Sequence, residues 1–227
     1  MAIRARRLEE SEMPGKTELY EIRKSRDIVV EEKQIDGSLD QVTLEYHVRG
    51  DDVGYFAKEY RPADVQKMGA KVIDITAVML NHTKKNIRWY LDDIKDSLAG
   101  ENTVVKLHDQ WNSGLRYLQK NILNQVPGYT ETPNLGVITR CYDEKRMKRL
   151  RNDYQKVCDE IENDQQGKTL SQRKKRTDIA KYRGILKATQ AILDRNFRDE
   201  SGNNTYKIHI KQLLSENDQI YKMRFHV

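Results

Sequence analysis

Apolar positions along the chain change their period twice. Residues 41–48, "QVTLEYHV", alternate Val42, Leu44, Tyr46 and Val48 with Thr43, Glu45 and His47, the pattern of a strand with one buried face. "DIVVEEKQI" before it predicts a partner strand, "DGS" at 36–38 the turn between them, and "LYEIRK" at 19–24 a third strand. From Asp64 a 3–4 spacing takes over. Val65, Met68, Val72, Ile75 and Met79 make one stripe; Ile87, Leu91, Ile94 and Leu98 continue it with a shifted phase and stop at Gly100. That spacing predicts one long helix over 64–99.

Leu107, Trp111, Leu115, Leu118 and Ile122 predict a second helix over 103–126, closed by Pro127-Gly128. After a looser segment, Met147, Leu150, Tyr154, Val157 and Ile161 predict a third over 143–165. Ile179, Tyr182, Leu186 and Leu193, widened by Ile185 and Ile192, predict a fourth over 170–197. The joint between the last two is short, so they are expected to lie antiparallel. "YKIHIKQLL" and "QIYKMRFHV" read as a C-terminal β-hairpin turned at "SEND". The expected fold is α+β and predominantly helical. Residues 1–17 form a flexible arm, 18–60 with 205–227 a small antiparallel sheet, and 61–204 an inserted four-helix segment with a long antiparallel helical hairpin.

Composition supports long solvated helices: hydrophobic residues make up 37% of the chain and charged residues 33%. Cys141 and Cys158 form no ligand pair and read as free thiols of a reducing compartment, the cytoplasm or a virion. No apolar run approaches the roughly 20 residues of a membrane span, so no membrane partner is expected. The net charge of +6 is local. Residues 143–199 hold 16 Lys/Arg against 10 Asp/Glu, while the remainder holds 25 of each.

Within that basic segment lies "DQQGKTLSQRKKR", residues 164–176. Gly167-Lys168-Thr169 matches the end of a phosphate-binding loop, but Glu162 stands where its first glycine belongs and no strand precedes it. Gly167 suits a helix end, and Thr169 to Gln172 a capping box. Arg173, Lys174, Lys175 and Arg176 then crowd a helix N-terminus, where cations cost about 0.3–1 kcal/mol each before screening. They are either a solvated tip or an anion-binding one, with Lys168 beside them. A second cluster, Lys145, Arg146, Lys148 and Arg149, opens the preceding helix at the far end of the hairpin. These nine residues are the expected contact surface for anions or a partner.

Catalytic patterns are absent from the sequence. The five histidines are scattered, with His47 and His209 expected on solvent faces of strands. Asp92, Asp93 and Asp96 form the densest carboxylate group; they either hold a divalent metal or, the reading favoured by Lys95 beside them, line a polar helix face. Trp89 and Trp111 fall within apolar stripes and are expected in the core. No catalytic residue, metal or cofactor is therefore assigned. The leading expectation is a non-enzymatic assembly protein, oligomeric or part of a larger complex such as a phage neck or baseplate, built on protein–protein contacts. The alternative is a nucleic-acid-associated protein gripping the phosphate backbone with its basic hairpin. An enzyme built from scattered residues would announce itself as a pocket enclosing carboxylates or histidines with displaced pKa values.

Overall fold

A computed structural model of the chain describes residues 3, 5–7, 19–23, 26–33, 41–48, 52–59, 73–98, 100–163, 172–212 and 220–225. Every structural statement below concerns them. The strands are β1 (Arg6–Arg7), β2 (Tyr20–Ile22), β3 (Arg26–Lys33), β4 (Gln41–Val48), β5 (Asp52–Lys58), β6 (Ile75–Asn81), β7 (Asn86–Ser97), β8 (Thr130–Cys141), β9 (Asn196–Arg198), β10 (Thr205–Gln212) and β11 (Ile220–Phe225). The described helices are α1 (Glu101–Asn121), α2 (Glu144–Asn163) and α3 (Gln172–Leu193).

Eight strands join in one sheet, in the order β1-β2-β5-β6-β7-β8-β10-β9, and three in another, β11-β4-β3. β5, β6 and β7 form an antiparallel meander. β8 then runs parallel to β7, and β10 parallel to β8. Parallel neighbours need a crossover, and the chain supplies two. α1 connects β7 to β8; the α2–α3 hairpin with β9 connects β8 to β10.

The large sheet is covered on both faces. On one, Trp89, Leu91, Leu135, Val137 and Ile208 meet Val104, Leu107 and Trp111 of α1, Met147 of α2, Ala188 and Ile192 of α3, and Phe197 of β9. On the other, Phe56, Ile75, Ala77, Met79, Tyr90 and Ile138 meet Tyr46 and Val48 of the small sheet. Gly54 allows this approach, because a Cβ there would stand 2.8 Å from Val48 Cγ2. Burial of each large apolar side chain contributes about 1.5–3 kcal/mol.

The predominantly helical expectation is overturned: the chain is mixed α/β around an eight-stranded sheet. The long helix over 64–99 fails where it is described. Residues 75–97 are instead the hairpin β6–β7, and 130–141, taken as a loose segment, are β8. The reason is visible in β6, where all seven residues are buried because both faces are covered. Two-sided burial erases the period-2 signal, and the surviving apolar positions fall by chance at helical spacing. The other three predicted helices form as α1, α2 and α3. Arg151 meets Gln190 and Glu162 meets Arg183, so α2 and α3 are antiparallel as expected.

The C-terminal strands form no hairpin. β10 joins the large sheet, and β11 pairs in parallel with β4. The small sheet is thus mixed rather than antiparallel. β2, expected with β3 and β4, is in the large sheet beside β5. Of the expected N-terminal arm, Arg6–Arg7 pair with Tyr20–Glu21. The predicted turn at 36–38 lies outside the described residues.

Candidate functional site

The site grows from the alternation of β7. Ile87, Trp89 and Leu91 face the helices and are fully buried, and the same face continues with Asp93 and Lys95. Two charged residues thus occupy positions that the strand's pleat assigns to the core. β6 brings a third. Its first residue, Ile75, pairs with Asp92 and faces the small sheet, so Asp74, one residue earlier, faces the helices beside Asp93.

Asp93 is wholly buried, whereas the side chains of Lys95 and Asp74 retain 12% and 23% exposure, so the site opens to solvent through them. Lys95 Nζ is ion-paired with Asp93 Oδ2 and lies 3.8 Å from Asp74 Oδ2. From α1, buried Gln110 donates its Nε2–H to Asp93 Oδ1 at 3.0 Å. The backbone N–H of Ile94 donates to Asp74 Oδ2 at 2.8 Å. Asp93 Oδ2 faces the Lys95 ammonium.

Burial pushes the Asp93 carboxyl well above its ordinary range, the neighbouring Asp74 carboxylate pushes it further, and Lys95 opposes both. Two carboxylates and one ammonium leave one uncompensated negative charge when both acids are ionised. A proton or a bound cation relieves it. Hard oxygen donors of this kind suit Mg²⁺ or Mn²⁺ and not a thiolate-seeking metal. Among the described residues no three His, Cys, Asp or Glu side chains gather to hold a metal. A cation here would complete its shell with water and substrate oxygens, the usual state of Mg²⁺.

Asp92, one residue earlier, points to the opposite face. Its Oδ2 accepts the Tyr46 hydroxyl at 2.6 Å, and its Oδ1 fills the space over Gly136, where a Cβ would stand 1.8 Å away. Burial lifts the Asp92 carboxyl to about 6, while the Tyr46 hydroxyl and Lys211 restrain the rise. The expected helix face of Asp92, Asp93 and Asp96 therefore does not exist. The strand sends Asp92 and Asp93 to opposite layers, and the Asp96 side chain lies outside the described set.

Of the predicted contact residues, those described fall in the first turns of α2 and α3. Lys145, Arg146, Lys148 and Arg149 are exposed in the first turns of α2, with Lys148 Nζ 2.6 Å from Glu144. Arg173, Lys174, Lys175 and Arg176 lie in the first turns of α3; their side chains, and Lys168, are outside the described set. The antiparallel hairpin keeps the two clusters at opposite ends, as expected. Trp89 and Trp111 are in the core, and His47 and His209 are exposed, also as expected.

Asp74, Lys95 and Gln110 were not among the residues singled out from sequence for a site. The signal for Lys95 was its place two residues from Asp93 at the end of an apolar strand. Asp74 had none, because only the β6–β7 register brings it there. Compared with known proteins, the chain matches no family model, no curated protein and no solved structure.

Proposed function

We propose that the protein is a divalent-cation-dependent phosphodiesterase acting on nucleic acid, with Asp74, Asp93 and Lys95 as its working groups. The observation that carries this reading is the meeting of two carboxylates and an ammonium where the start of β6 lies against the carboxyl-terminal half of its antiparallel partner β7, with Asp93 buried and Lys95 between the two acids. The reading departs from the expectation of a non-enzymatic chain without metal or cofactor. A carboxyl displaced by burial and by a specific charged neighbour marks a candidate working site.

Asp74 and Asp93 would hold the cation. When bound, it would polarise a phosphoryl oxygen and offset the charge that develops there during hydrolysis. Gln110 holds Asp93 by Oδ1, while Oδ2 faces Lys95. Lys95, held between both carboxylates, presents Nζ–H donors to a phosphate oxygen or to the attacking water. The overall charge of +6 favours a polyanionic substrate.

The test is cleavage of single- and double-stranded DNA and RNA with Mg²⁺ or Mn²⁺, against a chelator. Cleavage should require the cation and should fall by about 10²-fold or more in Asp74→Asn, Asp93→Asn and Lys95→Ala, the scale of losing one transition-state contact. A folded wild-type protein that cleaves none of these substrates would sink the reading.

A second reading, protein–protein contact within a larger assembly such as a virion, is favoured by the hairpin. Toward its tip, Tyr154, Val157, Ile161, Ile179 and Tyr182 are only half-buried, and Tyr154 stacks on Tyr182 across the pair. A half-covered apolar seam suits a partner. Absolute mass by light scattering after size exclusion decides it. A discrete oligomer that dissociates in Tyr154→Ser/Tyr182→Ser supports the contact, and a monomer at all concentrations opposes oligomer formation through the seam.

A further inference from the structure

The face of β8, β9 and β10 opposite the helices extends past the small sheet. Phe197, Tyr206, Ile208 and Ile210 pack toward the helices, so their neighbours point the other way: Arg198 from β9 and Lys207, His209 and Lys211 from β10. Register confirms the grouping, because Arg198 pairs with Thr205 and Asn196 with Lys207 across the antiparallel pair. Arg198, Lys207 and His209 are exposed, and Lys211 is half-buried. The His209 imidazolium is disfavoured by burial and by the charges of Lys207 and Lys211.

No acid answers this charge from the same strands. Their one acidic residue, Glu131, is on the helix face, where it accepts the Trp89 Nε1–H at 3.3 Å. Asp199, next to Arg198, is occupied by its own loop, accepting from Ser201 Oγ at 2.7 Å and Asn204 Nδ2 at 2.9 Å. Among the described residues, Asp92, buried under the small sheet, is close enough to Lys211 to perturb it.

We propose that this open face, with Arg198, Lys207 and His209 at its centre and Lys211 at its inner end, is the surface that seats the phosphate backbone of nucleic acid. It rests on the phosphodiesterase reading and says how that substrate is held. Alternate residues of a strand stand about 6.6 Å apart. Cations in such a row can each neutralise a phosphate and release its counterion. The stripe and the carboxylates lie on opposite faces of the same strands. Lys211 pairs with Ile138, and Ile138 with Ile94, the residue between Asp93 and Lys95. In the plane of the sheet two strand spacings, about 10 Å, separate Lys211 from β7, but Asp93 and Lys95 leave β7 on the opposite face, so a backbone seated on the stripe must pass around the strand ends to reach them.

The experiment is the salt dependence of binding to a short blunt DNA duplex, by fluorescence anisotropy in chelator between about 50 and 200 mM salt. The probe protein is the full chain carrying Asp93→Asn. Adding Arg198→Ser, Lys207→Ser and His209→Ser should flatten the slope of log affinity against log salt by about 2 near neutral pH, one for each lost cation. A control with Lys106→Ser and Lys120→Ser, exposed on α1, removes the same charge and should leave the slope within about half a unit of its parent. Equal flattening in both, or none in the first, overturns the proposal. Cleavage by the chain with intact Asp93 is scored separately. If the duplex seats on this face yet is never cut, the phosphodiesterase reading fails and the surface stands; if it is cut but the slope ignores these residues, the surface fails alone.

Discussion

At the scale of single residues, the molecule accepts several unfavourable placements, and each has a measurable consequence. Gly136 is required because the Asp92 carboxylate occupies the space of its missing Cβ. Gly136→Ala forces Asp92 away from Tyr46 and should cost about 1–3 kcal/mol or more, read as a lowered midpoint in denaturant. Gln110→Leu keeps the packing of α1 but removes a donor from buried Asp93. It should cost about 1–3 kcal/mol of stability and, on the proposed phosphodiesterase reading, lower kcat more than it raises KM. His108 packs on Phe197, and burial and Lys187 hold its pKa below 6.5. The unfolded chain therefore binds this proton more readily, so the histidine costs stability as pH falls through and below 6.5. His108→Gln should flatten that part of the stability–pH curve relative to wild type. Unchanged curvature would show that other groups set it. None of these placements is announced by spacing alone, except that Asp93 and Lys95 interrupt an alternation that otherwise runs Ile87, Trp89, Leu91.

Among elements, the helices were legible and the central strands were not. α1 declares itself through Leu107, Trp111, Leu115, Leu118 and Ile122, because one face meets the sheet and the other meets water. α2 and α3 do so for the same reason. β6 and β7 lie between two packed layers, so Thr76, Ala77, Val78 and Met79 are all buried and the sequence carries no contrast between faces. β10 shows the opposite case. Its alternation of Ile208 and Ile210 with Lys207, His209 and Lys211 was readable, and only its partner was mistaken, since strand pairing across a long crossover leaves no local mark. The hairpin is anchored at its base. Ile192, 1% exposed, and Ala188 seat α3 in the core shared with α1. Ile192→Asp should therefore cost about 3 kcal/mol or more by burying an unpaired charge. A variant that melts like wild type would show the hairpin base to be dispensable.

For the whole molecule, the architecture divides labour between the two faces of one sheet. The helix face holds the carboxylates and lysine; the opposite face holds the small sheet and, beside it, the basic stripe of β10. Asp92 and Asp93 mark the division, neighbours in sequence with their side chains in different layers. The small sheet adds a consequence in time. β4, ending at Val48, pairs with β11, which begins at Ile220, so the layer that covers Tyr46 and Asp92 is closed by a segment far along the chain from it. Contacts between such distant segments form slowly. The β5–β6–β7 meander, made of neighbouring segments, is expected to form first, so Asp92 gains its Tyr46 partner late in folding while Asp93 and Lys95, on the other face, do not wait for it.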